Sequence, residues 1–164
     1  MDGSTQKVII AAVCMLAAVA VIGWSLLAGG PGSGSDDVYF YDLSEQQLFA
    51  APANAIPPIK GINDDVEDGV LAIVISKTGK AADKEVAYLQ KYTPQGKQLV
   101  QQNRAGTLSP NVDVRSMLPR HTLIRVPQGQ NWYPMSSEAG RINTTYWKQT
   151  DDGSKPVILS PADG

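Results

Sequence analysis

Between Gly69 and Ser76 the chain reads GVLAIVIS, six apolar residues in a row, four of them β-branched. The run is too short to cross a bilayer and does not alternate with polar residues. Branched side chains favour the pleated backbone, and an unbroken apolar run suits a strand covered on both faces. This stretch is therefore expected to be the central strand, and the neighbouring segments are read as its partners. After the turn region Lys77 to Lys80, Glu85 to Tyr92 (EVAYLQKY) is expected to pair with it, with Val86, Tyr88 and Gln90 on one face and Ala87, Leu89 and Lys91 on the other. Upstream, Val38 to Tyr41 (VYFY) and Leu48-Phe49 flank the polar stretch Ser44 to Gln47 and predict a hairpin. Ala50 to Ile62 holds three prolines; Pro57 and Pro58 remove two backbone donors and press Ile56 toward extended backbone, which predicts a connector.

Downstream, Thr93-Pro94 is a helix-start signal, with a capping hydroxyl followed by a proline in the first turn. The helix is expected to run to about Arg104 and stop at Gly106, lying on the surface because Leu99 and Val100 are its only strong apolar anchors. Leu108 to Pro119 reads as mixed loop, and His121 to Val126 (HTLIRV) as a strand that begins at His121. Ser137 is expected to cap a second helix through AGRINTTYWK, better anchored than the first by Ala139, Ile142, Tyr146 and Trp147. Thr150 to Gly164 reads as an extended or disordered tail pinned by Val157 to Leu159. The expected soluble domain, residues 36–149 followed by a tail at 150–164, is α+β: a mostly antiparallel sheet of about four to five strands with two helices.

Ahead of this domain the composition changes. Of the 21 residues from Val8 to Ala28, 19 are apolar, against 50 of the 129 from Asp36 onward. As a helix, Val8 to Ala28 would be roughly 31 Å long, matching a hydrocarbon core of about 30 Å. A cleaved secretory signal usually has an apolar region of only about 7 to 15 residues. The run is therefore read as a single-pass signal-anchor behind a short N-terminal segment, residues 1–7, with Lys7 flanking it and Trp24 at the far interface. Lys7 precedes the span and the first basic residue after it is Lys60, which places the soluble domain on the non-cytoplasmic side. Ala11, Cys14, Ala18 and Ser25 make a small-residue stripe, without a GxxxG pattern, and are read as part of a generic anchor. Residues 29–35 (GGPGSGS) form a flexible linker with a root-mean-square reach of about 15 Å.

A formal charge of −2 and a pI of about 5.3 argue against nucleic acid as a partner. One Cys and one His exclude an intramolecular disulfide and a Cys/His metal cluster. His121 is the only side chain whose ordinary pKa lies near neutrality, but no nucleophile motif such as GxSxG accompanies it. Asp64, Asp65, Glu67 and Asp68 are read as a solvated acidic loop, since Val66 occupies a position that an EF-hand gives to a ligand. Trp132, Tyr133, Tyr146 and Trp147 are read as core or half-core packing ahead of a binding platform. Asn143-Thr144-Thr145 fits the glycosylation pattern within a predicted helix, and Lys77 and Lys80 around Gly79 lack the glycine and Lys-Ser/Thr ending of a P-loop. No catalytic, cofactor or metal residue is assigned.

Tyr39 to Leu43 (YFYDL) with Leu48-Phe49, Ile56 to Ile59 (IPPI), Gly69-Val70, Ala87 to Pro94 (AYLQKYTP), Leu123 to Arg125, Trp132 and Ser137 to Ile142 (SEAGRI) occur in an order and spacing that resemble a group of small single-pass membrane proteins of planctomycete-type bacteria. The resemblance spans most of the soluble part. It implies a membrane protein and carries over no activity or catalytic residue. Members of the group often hold cysteines after the central strand and near the C-terminus, where this chain reads SKTG and TDDGSKPVILSP. The functional expectation is a membrane-tethered, non-catalytic interaction or structural module of the bacterial envelope, with the lipid bilayer and an envelope protein as partners. The alternative is an anchored enzyme or small-ligand-binding domain whose site joins residues such as His121 with Asp113 or Glu138.

Overall fold

The structure is a computed structural model that describes residues 37–63, 65–148 and 153–163. The expected anchor Val8 to Ala28 with Lys7, Cys14 and Trp24, and the linker 29–35, lie outside the described residues. Among those described, no helix is long and apolar enough to cross a membrane.

The strands are β1 (Asp37–Asp42), β2 (Gln47–Pro52), β3 (Gly69–Ser76), β4 (Lys84–Tyr92), β5 (Thr122–Arg125), β6 (Tyr133–Pro134) and β7 (Val157–Leu159); the helices are α1 (Pro94–Arg104), α2 (Val114–His121) and α3 (Glu138–Asn143). All seven strands form one antiparallel sheet in the order β2-β1-β3-β4-β5-β6. β7 pairs with β3 as well, opposite Val74 to Ser76, while β1 pairs with β3 opposite Gly69 to Leu71. One edge of the central strand is thus shared between two segments far apart in the chain. The sheet is larger than the four to five strands expected, because β6 has only two residues and β7 three, too few for a period to register.

The central position of GVLAIVIS and the β1–β2 hairpin hold as expected. Val70, Val74 and Ile75 are completely or almost completely buried, and so is Leu89 on β4. Tyr39, Val70, Ala72, Val74, Leu89 and Leu159 form a core cluster on one face, with Tyr41, Leu43, Leu48, Val86 and Trp132 packed against it. Phe40 and Ile124 are buried on the opposite face, where the Phe40 and Phe49 rings lie 5.8 Å apart across β1 and β2. The β3–β4 register shifts between Ile73 and Val74, which oppose Tyr88 and Val86, so Ala87 is the extra residue of a bulge. Its carbonyl accepts a hydrogen bond from the Tyr146 hydroxyl at 2.6 Å. The expected connector after β2 returns to the sheet through paired hydrogen bonds between Ile59 and Gly69, and the Pro57–Pro58 peptide is cis.

α1 begins and ends where the sequence places it. The Thr93 hydroxyl accepts from Gly96 N–H, Pro94 occupies the first turn, and Gly106 takes a φ of 66° past the end. Its packing is tight at one point: a Cβ on Gly96 would lie 2.8 Å from both the Cβ and the carbonyl oxygen of His121.

Two expectations are corrected. The segment read as mixed loop from Leu108 to Pro119 contains α2, capped by Asp113, whose carboxylate accepts from the Arg115 and Ser116 amides. His121 is consequently the last residue of a helix, and the following strand starts at Thr122. Pro119 masked this helix, although a proline six residues into an eight-residue helix breaks few internal bonds. The second expected helix is split into α3 and a 3-10 turn at Tyr146–Lys148, because the Thr144 and Thr145 hydroxyls bond back to Arg141 and Ile142 carbonyls. It is not better anchored than the first: Ile142 is 56 % exposed and Tyr146 44 %.

Candidate functional site

Two polar assemblies and one groove stand out among the described residues. The first is built on Asp42, which ends β1 and is fully buried. Its Oδ1 accepts from the Ser44 amide, the Ser44 hydroxyl and the Glu45 amide at 3.0, 3.1 and 2.9 Å, and its Oδ2 accepts from the Ile62 amide at 2.6 Å. Burial pushes the Asp42 carboxyl up, but these donors outweigh it and hold the group below its ordinary value. Asp68 approaches the same point, with Oδ2 accepting from the Ser44 amide and hydroxyl. A Cβ on Gly61 would lie 2.5 Å from Asp42 Oδ2 and 2.7 Å from Asp68 Oδ1, so only glycine fits between the carboxylates. The arrangement locks the β1–β2 turn to the connector. An Asp followed by Ser and Glu at a strand end carried that signal, since Asp readily accepts from amides two and three residues on.

The acidic stretch is dispersed among different partners. Asp65 pairs with Lys60, Glu67 with Lys97, and Asp68 faces Ser44, while Asp64 lies outside the described residues. Among the described residues, no three acidic, His or Cys side chains are grouped to hold a metal ion.

His121 lines an open groove of about 280 Å³ between α1 and α2, with Gln95, Gln98, Leu99, Gln102 and Met117. Its Nδ1 lies 3.1 Å from the Thr93 hydroxyl, and its carbonyl accepts from the Thr93 amide. Asp113 caps the opposite end of α2, about 12 Å away along an eight-residue helix. Glu138 opens α3, and no hydrogen bond among the described residues links it or Asp113 to His121. The proposed pairing of His121 with either carboxylate is therefore not assembled. The imidazole helps join α2 to the start of α1.

The aromatic residues each have a separate setting. Tyr146 seals the Ala87 bulge, Trp147 donates from Nε1 to the Thr144 carbonyl, and Tyr133 is 36 % exposed on β6. Asn143 closes α3, and the next two threonines are engaged in its C-terminal turn. Lys77 pairs with Glu85, and Gly79 takes a φ of 77° in the turn between β3 and β4.

Trp132 is placed differently. Register sets Arg125 opposite Leu89 and Lys91 opposite Leu123, so the two cations occupy diagonal positions on one face of β4 and β5. Lys91 Nζ lies 4.4 Å from the Trp132 ring centroid and Arg125 Cζ 4.9 Å. Burial lowers the Lys91 pKa, with the nearby Arg125 charge adding to the shift; burial also lowers that of Arg125, opposed by Tyr41. Arg125 Nε is buried with no hydrogen-bond partner among the described residues. Each of these residues is unremarkable in sequence: Lys91 reads as one position on a strand face, and Trp132 as core or half-core packing ahead of a binding platform. Their convergence depends on the β4–β5 register.

Comparison with protein-family models, with curated proteins and with solved structures found no match to this chain. The geometry of these assemblies and the sequence ahead of Asp37 carry the functional reading.

Proposed function

We propose that this chain is a membrane-tethered, non-catalytic interaction module of the bacterial envelope, with its folded part on the non-cytoplasmic side. The observation that carries the reading is positional: β1 starts at Asp37, directly after the Gly/Ser-rich residues 29–35 and the uncharged stretch Val8 to Ala28. A spanning helix joined to a sheet by so short a linker, with a root-mean-square reach of about 15 Å, would keep the domain near the bilayer and raise its encounter rate with partners on that face. The membrane-protein resemblance of Tyr39–Leu43 and its companion segments points the same way. The binding of His121 to Thr93 and the dispersal of the acidic residues favour a non-catalytic role.

Alkaline carbonate extraction of membranes should leave the full chain in the pellet, and protease added to spheroplasts should digest the folded part. Release by carbonate would remove the tether, and protection from protease would reverse the orientation. Crosslinking in native membranes should recover a reproducible protein partner; its absence would sink the interaction role. Among the described residues, the small-ligand-binding alternative is favoured at the Lys91–Arg125–Trp132 face.

A further inference from the structure

We propose that Lys91, Arg125 and Trp132 form a binding site for a phosphate group, held between the Lys91 ammonium and the Arg125 guanidinium against the indole. The inference goes beyond the tethering proposal and does not depend on it. Lys91 and Arg125 make no ion pair among the described residues, so no carboxylate neutralises either charge. Instead they share one ring as their common neighbour. Two like charges on adjacent strands repel, and partial burial strengthens that repulsion by removing water. An anion between them reverses both effects.

The donor set selects the ligand. Phosphate carries close to two negative charges near neutral pH as a monoester, matching two cations, whereas a single carboxylate would leave one uncompensated. Guanidinium nitrogens present a planar fork suited to two phosphate oxygens, and the ammonium acts as a point charge on a third. Arg125 Nε is one of only two buried side-chain polar atoms left without a hydrogen bond among the described residues, so the guanidinium retains unused donor capacity. The indole beside both cations excludes water from one side of the site. Binding therefore changes the surroundings of Trp132.

The source of the phosphate is either a soluble molecule or a lipid headgroup, and the test separates them. The full chain carrying Trp24→Phe and Trp147→Phe has Trp132 as its sole tryptophan. In non-ionic detergent it is titrated with inorganic phosphate, with chloride at equal ionic strength as control. In a second arm it is reconstituted in phosphatidylcholine vesicles with and without phosphatidic acid. The expected result is a saturable Trp132 fluorescence change in at least one phosphate arm. Lys91→Gln and Arg125→Lys should each weaken it about tenfold, the loss of one charge-assisted contact. A response confined to vesicles assigns a lipid phosphate, and a response to inorganic phosphate assigns a soluble one; either supports the site. No saturable response in either arm overturns the proposal, as does an equal response to chloride or an unchanged response in both variants. The parent-chain titration decides the matter even if a variant fails to fold.

Discussion

Replacing Asp42 with Asn changes one oxygen into an NH2 group and removes one charge, leaving the side-chain volume almost unaltered. The carbonyl oxygen of Asn can retain the three donors now on Oδ1, from the Ser44 amide, the Ser44 hydroxyl and the Glu45 amide. Its NH2 then meets the Ile62 amide, which sits 2.6 Å from Oδ2 in the native protein, donor against donor. Leaving a buried N–H unsatisfied costs about 1–3 kcal/mol, and the remaining three bonds lose their charge assistance. Flipping the amide exchanges one orphan for three. The expected destabilisation is about 3–4 kcal/mol, a large share of the roughly 5–15 kcal/mol that holds a domain. At roughly 3–5 °C per kcal/mol for a domain of this size, Tm should fall by about 10–15 °C. Thermal unfolding of the full chain in non-ionic detergent, followed by tryptophan fluorescence, measures it. A Tm within about 3 °C of the parent would refute the assignment of Asp42 as the lock between hairpin and connector. The same residue gives a pH signature with a definite sign. Its folded pKa lies below the ordinary 3.8, so the unfolded chain binds the proton more readily. That stabilisation is fully present above the unfolded value and is lost as pH falls through the lower folded value. Asp42→Asn should flatten the dependence of stability on pH within this acidic window.

Gly140→Ala should destabilise the fold by about 3 kcal/mol, since the added Cβ would lie 2.1 Å from the Pro134 carbonyl oxygen and 2.9 Å from Met135 Cα, both backbone; urea unfolding that matches the parent midpoint would contradict it. Thr93→Ala removes the cap of α1 and the partner of His121 Nδ1, and an equilibrium denaturation loss of about 1 kcal/mol is expected. Tyr146→Phe leaves the Ala87 carbonyl without its side-chain donor and should lower stability by about 1 kcal/mol. Faster amide exchange around the bulge, read by hydrogen–deuterium exchange, would accompany it, and unchanged exchange would count against the seal.

The parts of the fold that were legible are those decided locally. An unbroken branched run, GVLAIVIS, has few alternatives to a buried strand, and Thr93-Pro94 with Gly106 sets both ends of α1 by backbone chemistry within a few residues. α2 is hard to read because it is short and carries Pro119, a residue that normally interrupts helices, so Leu108 to Pro119 resembles a loop. Neither β6 nor β7 is long enough to show a period, and each exists because a longer strand offers it an edge. Ile142 and Tyr146 follow a helical spacing but remain substantially exposed, since the threonines between them end the helix first. The polar assemblies were less legible still. Asp42 meets Ile62 across 20 positions, and Lys91 reaches Arg125 only through strand pairing, so no spacing rule announces either.

The division of one edge of β3 between β1 and β7 has a consequence for how the molecule is made. Val74 and Leu159 are 85 positions apart, so the half-edge from Val74 to Ser76 stays unpaired until long after β1 and β4 have engaged the rest of the strand. While the chain is being synthesised, the most apolar segment of the sheet presents bare amides and carbonyls to any extended peptide nearby. Val157 to Leu159 act as a late latch on that opening, and proteolytic loss of this segment would leave a ready template for intermolecular strand pairing at the centre of the sheet.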